Sequence, residues 1–203
     1  MKKSIFLVLL ALICGMTPAY THAQREYSKD CRKEAQKNSK KRAKELKKEK
    51  WVYSGATPLE TKLERFFLET GECGGCKEYT SEINNVNKVM IGENAAGRDI
   101  SNYLITMLYE EVKGISENEV NEDEASFRNR FASKFKGTLS LVYSKELTLH
   151  KKNSSGKYDV IVYYIIDQEK VSKLAKIATE DLDNKDKRSD NIREAIKREF
   201  GED

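Results

Sequence analysis

The sequence predicts an α+β fold: a small, mainly antiparallel sheet of about three strands, with helices packed on one face, preceded by a basic helical arm. Two apolar segments, residues 139–149 and 158–167, flank the turn Asn153-Ser154-Ser155-Gly156, which is typical of a β-hairpin. Other segments place apolar residues three and four positions apart, as amphipathic helices do. The resulting core order, strand–helix–strand–strand, indicates one layer of helices against a sheet.

The amino terminus predicts a secretory signal peptide over residues 1–23. A short basic start precedes an apolar run over residues 5–13, which is shorter than the roughly 20 residues that span a bilayer. Small residues end at Ala23, so we expect cleavage between Ala23 and Gln24. The alternative is lipid attachment at Cys14, although large apolar residues precede it where a lipoprotein signal has small ones. Both interpretations predict export, to the periplasm or the outer membrane.

Residues 24–50 form the predicted basic arm. Residues 25–50 hold twelve Lys/Arg against five Asp/Glu, whereas residues 51–203 hold 23 against 28. The arm contains neither Gly nor Pro, which favours a helix. It is either a solvated helix or flexible lead-in, or a basic surface that contacts an anionic lipid or glycan. Nucleic acid is disfavoured because no aromatic residues alternate with the charges. The candidate contact residues are Lys40, Lys41, Arg42, Lys44, Lys47 and Lys48.

The predicted domain comprises residues 51–183, and its first half contains helices around one strand. Pro58 and Gly71 delimit an apolar stripe that predicts a helix between them. Residues 79–91 predict a strand, with the strongest pattern at residues 86–91. A 3.6-residue periodicity then predicts a helix over residues 94–113. A further helix follows, with Phe127, Phe131 and Phe135 at a spacing of four.

The hairpin strands and the carboxyl-terminal helices complete the prediction. Strict alternation places two sets of residues on opposite faces of the first hairpin strand: Leu139, Leu141, Tyr143, Leu147 and Leu149 on one, and Ser140, Ser144, Glu146, Thr148 and His150 on the other. Residues 158–167 are apolar on both faces, as in a central strand. Residues 171–182 predict an amphipathic helix, and residues 184–203 a carboxyl-terminal helix.

Two segments, "KKEKWVYSGATPLETKLERFF" and "IGENAAGRDISNYLITML", together with the closing strand pair and its helix, resemble secreted Bacteroidetes-type envelope proteins related to the twenty-kilodalton outer-membrane lipoprotein family. The resemblance covers roughly residues 45–183. Its signature residues are Trp51, Gly55, Pro58, Leu59 and Glu60, with Gly92 and Glu93 opening the central helix. The chain departs from the family at Ile100, Tyr103 and Leu104, where relatives carry more alanine, and at Cys14, a poor lipid acceptor. The resemblance implies an exported envelope protein without assigned catalysis.

Cleavage after Ala23 leaves three cysteines, Cys31, Cys73 and Cys76. A redox centre at Cys73-Gly74-Gly75-Cys76 is disfavoured, because the segment follows the end of a predicted helix, where the helix dipole opposes a thiolate. A zinc site would need a fourth ligand, and the sequence offers only His150 beyond the leader. The remaining alternatives are a disulfide from Cys73 to Cys76, or from Cys31 to one of them.

The sequence therefore predicts a non-catalytic, exported cell-envelope protein that acts in binding or assembly. It contains no nucleophile elbow, no phosphate-binding glycine loop and no zinc-protease motif, and we expect no cofactor. The sequence does not exclude a catalytic pair of carboxylates that comes together only in the folded protein. Beyond the leader no apolar stretch predicts a membrane span. The alternative function is thiol-dependent redox or metal handling through Cys73 and Cys76.

Overall fold

The structure, a computed structural model, describes residues 27–115, 124–134, 137–183 and 189–201. The predicted leader, Cys14 and the cleavage site between Ala23 and Gln24 lie outside these residues, as does Phe135. Among the helices that the structure describes, none combines the length and apolar character that crossing a bilayer requires.

The described residues form six α-helices, one 3-10 helix and four strands. The helices are α1 Lys29–Lys48, α2 Leu59–Thr70, α3 Val89–Ile115, α4 Glu124–Lys134, α5 Gln168–Asp183 and α6 Ser189–Phe200, and the 3-10 helix is Thr138–Leu141. The strands are β1 Val52–Tyr53, β2 Cys76–Val86, β3 Tyr143–Lys152 and β4 Tyr158–Asp167. All neighbouring strands are antiparallel, in the order β1-β3-β4-β2. The α+β class is thus confirmed, and the short strand β1 raises the count from about three to four.

Helices cover both faces of this sheet, so the prediction of one covered face is wrong. On one face Val160, Val162, Tyr164 and Ile166 of β4 pack with α3, α4 and α5. On the other face the alternate residues Ile161, Tyr163 and Ile165 pack with α1 and α2. A strand that is apolar on both sides needs cover on both sides. The second layer of helices includes the basic arm, which is therefore part of the domain.

Strand β3 does not keep the strict alternation that its sequence suggests. A bulge between Lys145 and Leu147 inserts one extra residue, which reverses the faces beyond it. Tyr143 consequently packs on the α3 side, whereas Leu147 and Leu149 pack on the α1–α2 side. Residues 138–141, predicted as strand, instead form the 3-10 helix. The predicted single apolar face is therefore wrong.

The bulge also buries Glu146, which alternation placed on a polar face. Its side chain is only 3% exposed. Lys62 Nζ lies 3.1 Å from Glu146 Oε1, and Arg65 Nε lies 3.9 Å from Oε2. A buried carboxylate needs such partners because desolvation penalises an unpaired charge. The cations of α2 thus hold the bulge against that helix.

The strand predicted at residues 79–91 ends earlier than expected. β2 stops at Val86, and α3 begins at Val89 rather than near residue 94. Asn85 has a left-handed backbone (φ 62°), which asparagine tolerates better than most residues, and its N–H donates to Asp159 Oδ1 at 3.1 Å. The strongest part of the predicted strand therefore lies in the turn and the first turn of α3.

Two glycines of α3 predict opposite effects of the same substitution. A Cβ built on Gly92 would lie 2.6 Å from Val160 Cγ2, whereas one on Gly97 would meet nothing within 4 Å. We expect Gly92→Ala to destabilise the fold by about 1–3 kcal/mol through overpacking. Gly97→Ala should stabilise it by about 0.5–1 kcal/mol, because alanine is the better helix former. Urea unfolding of both variants measures this, and equal effects would contradict the packing described.

Candidate functional site

Helix α1 is fixed to the domain along one narrow face. Its buried residues follow one another at a spacing of three or four: Ala35, Ser39, Ala43 and Leu46. Ala43 and Leu46 belong to the same core cluster as Phe66 of α2. From the adjoining side of α1, Arg42 Nε and Nη2 donate to the Tyr163 hydroxyl at 3.1 and 3.0 Å. The arm is thus a docked helix, not a flexible lead-in.

A row of lysines runs along the exposed surface of α1 beside this buried face, and we call it the lysine stripe: Lys33, Lys37, Lys40, Lys44 and Lys47. The residues recur at i, i+4, i+7, i+11 and i+14, so the helical repeat aligns them on one side. All five are exposed. At 1.5 Å per residue the stripe is about 21 Å long. Among the described residues, the stripe forms one ion pair, a solvated one from Lys33 Nζ to Asp30 Oδ1 at 3.8 Å.

The stripe differs from the predicted set of contact residues. The five predicted lysines are exposed: Lys40, Lys41, Lys44, Lys47 and Lys48. Arg42 belongs to the predicted set but not to the stripe: its guanidinium turns inward to Tyr163 and also lies 3.4 Å from Glu45 Oε2. Lys33 and Lys37 belong to the stripe but not to the predicted set, although the same helical spacing extends from Lys40 back to them. The periodicity of lysine, rather than its local density, was the signal that could have found them.

The outer face of α1 contains no large apolar side chain that could enter a membrane. Among the described residues, the exposed large apolar side chains are Val52, Met90 and Ile91, and all three lie outside α1. A helix that inserts into an interface needs an exposed apolar face. The stripe can therefore bind a membrane only through the attraction between its charges and the headgroups.

A disulfide between Cys31 and Cys73 joins the first turn of α1 to the loop after α2. The two residues are 42 positions apart in sequence, and their Cα atoms are 6.3 Å apart. Of the alternatives that the sequence left open, the structure thus contains the bridge from Cys31. Cys76 begins β2, is half-buried and is not part of this bridge. This pairing does not favour redox or metal chemistry by Cys73 and Cys76 together.

The two glycines between Cys73 and Cys76 have a backbone role. Gly74 is buried, and a Cβ there would collide with the main-chain oxygens of Leu68 and Glu69. Gly75 has a left-handed backbone (φ 71°), which glycine adopts without strain. The segment therefore turns tightly around the end of α2 and presents Cys73 to α1. Its composition serves this turn.

A cleft of about 320 Å³ lies beside the disulfide, between α1 and the end of α2. Ala35, Phe67 and Leu68 give it an apolar part, and exposed carboxylates of Glu34, Glu72 and Glu78 contribute to its lining. Thr70 also lines it, but its hydroxyl already donates to Phe66 O at 2.8 Å. Within the part of the chain that the structure describes, no three His, Cys, Asp or Glu side chains are grouped to hold a metal ion.

The resemblance to the outer-membrane lipoprotein family stays a prediction. No family model, no curated protein and no solved structure matches this chain.

Proposed function

We propose that this protein is an exported, non-catalytic binding module of the cell envelope, and that its lysine stripe binds the anionic headgroups of a lipid bilayer. One observation carries the proposal: five exposed lysines are aligned along the exposed surface of a helix whose buried face is docked on the domain. A docked helix holds these charges in fixed positions. The five ammonium groups can therefore face one surface at the same time.

The magnitude of this attraction is sufficient for reversible binding. A lysine close to an anionic bilayer contributes about 1 kcal/mol, and clusters of four to eight basic residues on a helix are typical of anionic-lipid binding. The five stripe lysines fall within that range, and Lys41 and Lys48 flank them. Because α1 exposes no large apolar side chain, the protein would lie on the headgroups without inserting.

A bilayer fits the stripe better than the other anionic partners. Lysine carries a compact point charge and does not form the bidentate contacts by which arginine recognises individual phosphates. The stripe also contains no aromatic side chain on which a base could stack, as single-stranded nucleic acid requires. A dense and fluid array of phosphates needs neither feature. An anionic glycan is the competing ligand that the experiment must separate from lipid.

Two observations support an exported location. The first 23 residues have the pattern of a secretory signal peptide. The Cys31–Cys73 disulfide is of a kind that forms and persists mainly outside the cytoplasm.

Sedimentation with vesicles tests the proposed ligand. We expect the protein to sediment with phosphatidylglycerol–phosphatidylcholine vesicles and not with phosphatidylcholine alone. Added salt should release it, because charges are screened within about 8 Å at physiological ionic strength. Retention that does not change with salt would contradict electrostatic binding. Retention on an anionic polysaccharide without any on the anionic vesicles would reject lipid as the ligand.

A further inference from the structure

The amino-terminal half of α1 has little apolar packing of its own. Its buried side chains up to residue 40 are Ala35 and Ser39, both small, whereas the carboxyl-terminal half buries Leu46 and Ala43 in the core. Small side chains remove little apolar surface from water and so stabilise docking weakly. The Cys31–Cys73 disulfide therefore holds the half of α1 that packing holds least.

The two sulfurs of this disulfide lie in different environments. Cys73 is exposed in its loop, whereas Cys31 is half-buried in the first turn of α1. Ser28, the N-cap residue, accepts a hydrogen bond from the Cys31 N–H at 3.2 Å, and its hydroxyl donates to Cys31 Sγ at 2.9 Å. A helix amino terminus and a hydroxyl donor both stabilise negative charge on sulfur. Cys31 is thus the better leaving group, and Cys73 the more accessible point of attack.

We infer that the Cys31–Cys73 disulfide is a site of thiol–disulfide exchange, and that a dithiol reductant opens it to release the amino-terminal half of α1. A thiolate of the reductant attacks Cys73 Sγ, a mixed disulfide forms there, and Cys31 leaves as a thiolate. The second thiol of the reductant then attacks the mixed disulfide and closes the reductant's own disulfide. Cys73 leaves, and each protein sulfur takes up one proton. Two electrons pass from the dithiol to the cysteine pair.

Opening the disulfide changes the lysine stripe, and this consequence rests on the proposed function. Lys33 and Lys37 lie in the half of α1 that the disulfide holds, whereas Lys44 and Lys47 lie in the half that Leu46 anchors. Reduction therefore shortens the fixed part of the stripe. The disulfide regulates how many lysines face one surface together.

The site of attack is tested with a monothiol, which has no second thiol of its own to resolve the mixed disulfide. The experiment uses the variant Cys76→Ser, so that the Cys76 thiol cannot attack the mixed disulfide. This protein is treated with glutathione, quenched with acid and mapped by mass spectrometry. We expect glutathione on Cys73 in at least about tenfold excess over Cys31. Equal labelling, or an excess on Cys31, would overturn the proposed direction of exchange.

Hydrogen exchange of the same variant, with and without dithiothreitol, tests the release of α1. We expect amides 32–40 to lose nearly all of their protection after reduction, while amides of β4 stay strongly protected relative to an unfolded chain. Unchanged exchange in α1 would overturn the inference. Loss of protection throughout the sheet would overturn it too, because the disulfide would then support the whole fold. Neither experiment involves lipid. Failure of the proposed lipid binding and failure of the proposed disulfide exchange can therefore be told apart.

Discussion

The triple substitution K40E/K44E/K47E is expected to abolish binding to anionic vesicles while leaving the fold intact. These lysines are exposed on α1, and their side chains form no ion pair or hydrogen bond with the part of the chain that the structure describes. Losing three charges at about 1 kcal/mol each removes about 3 kcal/mol of binding free energy, which is more than a hundredfold in affinity. The introduced carboxylates repel the headgroups and increase the loss. Vesicle sedimentation measures the affinity, and circular dichroism checks the fold.

The matched control is K152E/K157E/K176E, which changes the net charge by the same amount. Lys152 and Lys157 lie at the hairpin turn and Lys176 lies on α5, and all three are exposed. We expect the control to retain most of the binding, because its charges do not belong to the stripe. Equal loss in the two variants would show that overall charge matters instead of the stripe. That result would contradict the proposed interface.

The second large effect is expected from removing the disulfide with C31S/C73S. In the chain-entropy description, a bridge closing a loop of this length stabilises the folded state by about 4 kcal/mol. A domain of ordinary stability has only about 5–15 kcal/mol in total, so the loss is a large fraction. Urea unfolding should show a lower midpoint. The C76S variant is the control and should unfold close to the parent, because Cys76 is not part of the bridge.

The effect of C31S/C73S should depend on the redox state of the parent protein. When dithiothreitol is added, the parent should approach the stability of the double variant, whereas the variant itself should not respond. A double variant as stable as the oxidised parent would contradict the disulfide described. A C76S variant destabilised as strongly as C31S/C73S would instead indicate that Cys76 takes part in the bridge.

The sequence predicted the elements better than it predicted their layers. Apolar periodicity located the main helices and the hairpin, because it reports which face of a segment is buried. It could not show that α1 covers the second face of the sheet, since the buried face of α1 is mostly small residues, such as Ala35 and Ser39. The sequence pattern also gave no sign of the bulge at Glu146. It depends on the cations of α2, which come from another part of the chain.

The site shows the same limit. The excess of lysine was visible in the sequence, but Arg42 could not be separated from its neighbours until Tyr163, 121 residues away, was placed beside it. The bridge from Cys31 to Cys73 stayed one of several pairings for the same reason. Only the fold brings the first turn of α1 next to the loop after α2. Local pattern predicts local structure, whereas these contacts join distant segments.

Energy transfer from Trp51 to headgroup-labelled lipid tests the central claim most directly. Trp51 is the only tryptophan in the sequence; it follows the last residue of α1 by three positions and is buried in the same core cluster as Leu46 of that helix. If the stripe faces the bilayer, dansyl-labelled anionic vesicles should quench Trp51 strongly, and salt or K40E/K44E/K47E should restore its fluorescence. Binding without transfer, or transfer that the triple variant leaves unchanged, would contradict the proposed interface.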